Sequence, residues 1–224
     1  MVRDALYWKK RERGMIMYRK FGKRALDILL AVLSLAVLWP VFLGLIIAIR
    51  VDSPGPALFR QERVGIRRSR FTILKFRTMR IDTPSDTPTH QLENPRQWIT
   101  RVGAFLRRTS LDELPQLINI LRGEMSFIGP RPALWNQEDL IEAREERGAN
   151  DLLPGLSGWA QINGRDELPI DVKARLDGEY AEKISFCFDV KCVLGTLRAV
   201  LRGSGVVEGG TGTLEKDRGT SGKS

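Results

Sequence analysis

Cysteine and histidine are almost missing from this chain: Cys187, Cys192 and His90 are the only three in 224 residues. Two cysteines cannot form a disulfide scaffold, and their spacing is not that of a metal knuckle. Both lie in an apolar segment and are expected to be buried thiols in a reducing compartment. A lone histidine offers no pair for a metal, and His90 falls in residues 82–97, which hold three prolines and no apolar period. That segment reads as a surface loop with a solvated imidazole. No repeat at solenoid spacing and no collagen-like period occurs. At 42% hydrophobic and 28% charged residues, global disorder is excluded and a core can form.

The charge is unevenly placed. Of the net +9, residues 1–24 hold nine Lys/Arg against Asp4 and Glu12, and residues 50–80 hold nine against Asp52 and Glu62. The rest of the chain is net acidic. Two basic clusters therefore flank one apolar run, Ile28 to Ile49, 22 residues without a charge. As a straight helix it would be roughly 33 Å long, enough to match a hydrocarbon core of about 30 Å. It is too long for a signal-peptide core, and no small-residue cleavage site follows. Trp39-Pro40 interrupts its middle, where proline removes a backbone hydrogen bond and clashes with the preceding turn. Basic flanks prefer the cytoplasm. A segment that enters, bends at Pro40 and returns keeps both clusters there; a kinked span is the alternative. Residues 1–24 mix Trp8, Met15, Ile16, Met17, Tyr18 and Phe21 with charge, as an interfacial helix or a disordered basic tail would. Residues 203–224 are glycine-rich and read as a flexible tail.

Beyond the turn cluster Asp52–Pro56, two β-like runs, Ala57–Arg60 and Phe71–Phe76, predict a small hairpin. From Trp98 the pattern is helical, and Leu111, Leu114, Leu117, Ile118 and Leu121 share one helix face. Ser110-x-x-Glu113 has the form of a capping box, yet Pro115 suits a helix that starts near Asp112. The adjacent acids therefore read as cap or as site, with the cap favoured by spacing. Turn-rich stretches 129–132, 153–159 and 163–165 carry or adjoin arginines, an arrangement suited to phosphate. Residues 138–151 read as a solvated helix and connection. Asp177, Tyr180 and Asp189 fall in a last helical region that runs to about Leu201.

The ordered series KRALDILLA, SPGPALFRQERVG, FTILKFRTM, LRRTSLDELPQLINILRGEMSFIGPRP, LPGLSGWAQINGR and LDGEYAEKISFCFDVK resembles the bacterial sugar transferase family, the small monotopic phosphoglycosyl transferases, over about residues 20–203. The resemblance implies transfer of a phospho-sugar from a UDP-sugar donor to a polyprenyl phosphate acceptor, with release of UMP and a need for Mg²⁺. It implies an α+β, mostly helical fold: a re-entrant membrane helix broken at Pro40, then a small helical catalytic domain with a short β-hairpin and interfacial helices. The expected organisation is a basic interfacial extension (1–24), the re-entrant helix (25–50), the catalytic domain (51–202) and the tail (203–224). The expected location is the cytoplasmic face of the bacterial inner membrane, among its lipids, with a homodimer as one possible assembly. By the same resemblance Asp112 is the nucleophile that becomes a covalent phospho-sugar intermediate, and Glu113 is its partner acid; both are the implied metal ligands. Lys75, Arg107, Arg131, Arg165 and Asp177 match positions that line the family's substrate site. One position departs: the family often has serine before the helix-breaking proline, where this chain has Trp39. The basic sequence also suggests nucleic-acid binding, but the basic excess flanks the apolar run and no nucleic-acid-binding signature appears. An inactive scaffold is disfavoured by the intact acidic pair and arginine set.

Overall fold

A computed structural model describes residues 17–83, 97–164 and 168–201. Expectations for residues 1–16, for the segment with His90, for Arg165 and for the tail lie outside the described residues. A wide π-type turn, Tyr18–Gly22, opens into α1 (Lys23–Asp52). The hairpin follows as β1 (Leu58–Val64) and β2 (Arg70–Phe76), with Leu58 opposite Phe76 and Val64 opposite Arg70. Then come α2 (Arg101–Thr109), a 3-10 turn (Leu111–Glu113), α3 (Gln116–Arg122), β3 (Ser126–Ile128), α4 (Glu138–Glu145), β4 (Gly155–Ser157), α5 (Trp159–Ile162), α6 (Ile170–Lys183) and α7 (Phe186–Leu201). The chain is mostly helical, as expected.

The expected break at Pro40 does not interrupt the helix: Lys23–Asp52 is one element with Pro40 inside it. Proline costs one donor and crowds the preceding turn, but α1 is packed against the core on both sides of Pro40, and tertiary packing is the main source of helix stability. One stripe of α1 faces the rest of the protein along both halves. Ala31, Leu35 and Phe42 pack with Phe71, Ile73, Leu117, Ile120 and Met125. Phe42, Leu45, Ile46 and Ile49 pack with Phe76, Leu106, Leu111 and Leu114. Full burial of Leu106, Ile120 and Met125 contributes about 1.5–3 kcal/mol each. The opposite side, including Leu29, Leu33, Val37, Trp39, Leu43, Ile47 and Val51, is exposed.

Polar anchors fasten both ends of α1. Asp27, buried, accepts from the Phe127 N–H at 3.0 Å. Arg24 donates to the Ile120 and Leu121 carbonyls at 2.6 and 3.1 Å, near the end of α3, where the helix's partial negative charge attracts a cation. At the other end Asp52 accepts from Val102 N–H at 2.9 Å, in the first turn of α2. Arg77 donates to the Ser53 and Pro54 carbonyls just past the helix.

Three expectations are corrected. The hairpin is longer than Ala57–Arg60 suggested, and its turn carries Arg67 and Arg68 in the left-handed region. The last helical region is two helices, parted at Ile184-Ser185, where the Ser185 hydroxyl accepts from the Phe188 N–H. Its two cysteines differ: Cys192 is buried, but Cys187 is exposed. Burial, reinforced by Asp189, pushes the Cys192 thiol up to about 12, consistent with an inert group. The parallel pair β3–β4 is not evident in the sequence. Its two registered pairs, Ser126–Gly155 and Ile128–Ser157, sit in turn-like stretches too short for periodicity. Gly129, Gly155 and Gly158 approach one another there with no room for a Cβ.

Candidate active site

The acidic pair is not a helix cap. Ser110, the residue that follows α2, lies in the left-handed region, φ 58°, and its side chain caps nothing. Asp112 and Glu113 sit on the 3-10 turn, while α3 starts only at Gln116, after Pro115. Three residues per turn put Leu111 and Leu114 on one side, where both pack against Ile49, Phe76 and Leu106. The two acids between them fall on the other sides of the turn. Burial of the leucines thus sets the position of the carboxylates, and α1 supplies part of the surface they are buried against.

Around the turn, three elements deliver cations. Lys75, near the end of β2, donates from Nζ to Glu113 Oε1 at 2.9 Å. Arg131, in the turn after β3, donates from Nη1 to the same oxygen at 3.3 Å. Arg107, in the last turn of α2, donates from Nε to Thr78 Oγ1 at 2.9 Å, and its charge acts on Asp112. Burial alone would raise the Glu113 carboxyl, but the Lys75 and Arg131 charges outweigh it and hold it at about 2. Asp112 shifts the opposite way: burial, reinforced by the Glu113 charge, raises its carboxyl against the pull of Lys75, Arg107 and Arg131. Among the described residues no side chain hydrogen-bonds or ion-pairs with Asp112. Two neighbouring carboxyls driven apart by their surroundings are a mark of acid–base or nucleophilic sites.

The structure therefore brings Lys75, Arg107, Asp112, Glu113 and Arg131 together. It does not bring Asp177 to them as a lining residue. Asp177 is 1% exposed, and its Oδ2 accepts from Arg144 Nε and Nη2 at 2.9 and 2.6 Å. Sequence reasoning missed Arg144, which sits in a segment whose charge suggested a solvated helix. It also missed Thr78, and Asn119, whose buried amide accepts from Leu74 N–H and donates to the Thr72 carbonyl and so ties α3 to β2. A single arginine or asparagine at unremarkable spacing gives no signal until its partners are known.

Asp112 and Glu113 are the acidic donors at the site, and no cluster of three or more ligating side chains occurs among the described residues. That set fits Mg²⁺, which is commonly held by one or two carboxylates together with substrate phosphates, and does not fit a closed all-protein cage.

Residues 18–203 match the family model described as bacterial sugar transferase. The chain is 43% identical over 185 residues to the UDP-glucose:undecaprenyl-phosphate glucose-1-phosphate transferase of Escherichia coli K12, covering 78% of this chain and 39% of that protein. It is 38% identical over 193 residues to the protein of the same name from Xanthomonas campestris pv. campestris, covering 82% and 40%. A third relative, the uncharacterized sugar transferase EpsL of Bacillus subtilis 168, is 35% identical over 198 residues, with 88% of this chain and 96% of EpsL covered. The chain thus spans about two fifths of the length of the first two and nearly all of the third. With a match over most of its length, and with the acidic pair and its cations assembled in one place, the chain belongs to the bacterial sugar transferase family.

Proposed function

We propose that the chain transfers a phospho-sugar from a UDP-sugar to undecaprenyl phosphate or a similar polyprenyl phosphate, an early membrane step of polysaccharide synthesis. The observation that carries this reading is the acidic pair enclosed by Lys75, Arg107 and Arg131. A pyrophosphate needs cations to neutralise its oxygens before an anionic nucleophile can approach. Lys75 and Arg131 already hold Glu113 ionised, so Glu113 serves as their counter-charge and orients them. Asp112, which makes no side-chain hydrogen bond to a described residue, is the available nucleophile. Its oxygen forms a bond to the β-phosphorus of the donor as the bond to the UMP oxygen breaks, leaving an aspartyl phospho-sugar. An oxygen of the acceptor phosphate then bonds to the same phosphorus and the Asp112 carboxylate leaves. Two displacements at one site replace a direct attack of one phosphate on another. Mg²⁺ bound by Asp112 or Glu113 would supply further charge neutralisation at the phosphoryl oxygens.

The features of α1 support a placement at the membrane. A straight helix of 30 residues is about 45 Å long, and both of its ends are hydrogen-bonded to the same domain. A helix that crosses a bilayer would leave one end on the far side, away from that domain. We therefore read α1 as embedded from one face, with its exposed apolar side in lipid and its basic flanks at the headgroups. The cytoplasmic leaflet of the bacterial inner membrane, where UDP-sugars occur, is the matching surface.

The test is release of UMP by purified protein in the presence of polyprenyl phosphate, Mg²⁺ and a panel of UDP-sugars that begins with UDP-glucose. Turnover with at least one sugar is expected. Without acceptor, intact-protein mass spectrometry should show one added phospho-sugar. Absence of UMP release with every sugar would overturn the reading.

A further inference from the structure

Four consecutive backbone carbonyls in the loop after β3 each have a partner. The Pro130 carbonyl accepts from Gly155 N–H at 2.8 Å, and that of Arg131 from Arg144 Nη1 at 2.9 Å. The Pro132 carbonyl accepts from Arg63 Nη1 at 3.1 Å, and that of Ala133 from Val64 N–H at 3.0 Å. Strands β1 and β4 supply neighbours for three of them. For Arg131 the chain uses a different device. Arg144, on α4, is 5% exposed and is held by Asp177 of α6 through two hydrogen bonds to one carboxylate oxygen.

A buried ion pair is a costly way to make a stable core, because apolar residues of similar volume serve as well or better. A planar guanidinium does something they cannot do: it fixes a carboxylate on one edge and a carbonyl on another, in one plane. Arg131 lies between Pro130 and Pro132. The following proline keeps its backbone extended, and the hold on its carbonyl fixes the remaining freedom in ψ. From that backbone the Arg131 side chain, 37% exposed, reaches Glu113.

We propose that Arg144 and Asp177 are a positioning pair for Arg131: they hold its backbone so that its guanidinium meets Glu113 and the phosphoryl group beside it. The inference rests on the transferase reading for its effect on turnover. It also replaces the expectation that Asp177 lines the substrate site.

The decisive variant is Arg144→Met/Asp177→Leu, which removes both charges together and leaves neither orphaned. It should fold with a thermal midpoint close to that of the wild type. Its kcat should fall about 10–100-fold, the scale of a small misplacement in an active site, with little change in KM for the donor. In an Arg131→Ala background the same double substitution should change kcat less than about twofold, since the group it positions is gone. A folded double variant with wild-type kcat, or an equal loss in both backgrounds, overturns the proposal. If the double variant does not fold, Arg144→Lys decides: it keeps the charge opposite Asp177 but loses the planar fork, and full activity would refute the pair's role. The side-chain Nε–H resonance of Arg131, assigned by its loss in Arg131→Ala, reports position without turnover. It should shift in the folded variant, and an unmoved resonance overturns the proposal. If the wild type releases no UMP, the transferase reading fails and this resonance still decides the positioning claim.

Discussion

At the residue scale, Asp112 and Glu113 are chemically similar side chains placed in unlike surroundings. Glu113 is depressed to about 2 by Lys75 and Arg131 against the effect of burial. The folded chain therefore binds its proton less tightly than the unfolded chain does. That contribution to stability is complete above the ordinary glutamate range and is lost as pH falls toward 2. Glu113→Gln should lower the thermal midpoint at pH 7, by the equivalent of about 1–2 kcal/mol because Arg131 is partly solvated. The gap to wild type should close between about pH 4.5 and pH 2. Melting curves across that range check it, and a constant gap would count against the assigned ion pairs. Asp112 carries the opposite sign: its raised carboxyl makes the ionised form a burden on the folded state. Asp112→Asn should therefore abolish UMP release while leaving the thermal midpoint equal or higher at neutral pH. A helix cap would leave the midpoint unchanged and turnover intact, since asparagine caps as well as aspartate. Parallel melting and turnover assays separate the two.

At the element scale, α2 carries Arg107 into the site, and one close contact decides where α2 sits. A Cβ at Gly103 would collide with the Thr78 carbonyl, and Thr78 also accepts from Arg107 through its hydroxyl. The Thr100 N–H donates to that same carbonyl at 3.1 Å, so the first turn of α2 is pinned to the strand exit. Gly103→Ala should push α2 away and cost about 1–3 kcal/mol, as overpacking does. Activity should fall with it, because Arg107 moves relative to Asp112. Ala104→Ser, on the exposed side of the same helix, is the control and should leave both unchanged. Urea denaturation midpoints and kcat of the two variants check this. The Asn119 amide plays a comparable part between α3 and β2, where it bonds to strand backbone at Thr72 and Leu74.

At the scale of the whole molecule, α1 is a core element along one side and a long exposed apolar surface along the other. Its inner stripe closes two apolar clusters, and its outer side has the apolar character that the proposed lipid contact requires. At its N-terminal end, buried Asp189 of α7 accepts from the Tyr18 hydroxyl, Lys23 Nζ and the Tyr180 hydroxyl at 2.6–2.7 Å. This network joins the start of α1 to α6 and α7. Helix α7 itself exposes Phe186, Val190, Val193, Leu194 and Leu197 on its surface. With α1 held to one domain at both ends, positions before and after it should lie on one side of the bilayer. Single cysteines at exposed Met17 and Arg60, in a Cys187→Ser background, should both resist an impermeant maleimide in intact cells and react after permeabilisation. Labelling of either site in intact cells would show that α1 spans.

What the sequence alone determined about this protein is whatever depends on long or local pattern. The 22-residue uncharged run, the hairpin, the helical character of the rest and the ordered motifs of the family are all legible there. Burial of apolar surface and backbone periodicity write these features into consecutive residues. The cluster that forms the candidate site was legible in part. Lys75, Arg107, Asp112, Glu113 and Arg131 could be named in advance, yet local spacing favoured a capping box for the acids. Only the tertiary structure decided against that box: Ser110 is left-handed between α2 and the 3-10 turn and caps neither, while α2 and α3 both pack on α1. It also placed Asp177 in a buried pair with Arg144, which the sequence did not single out. The physical reason is distance along the chain: Arg144 meets Asp177 across 33 residues and Lys75 meets Glu113 across 38. Desolvated charges take their roles from the partners that folding brings to them, and those partners are not their neighbours in sequence.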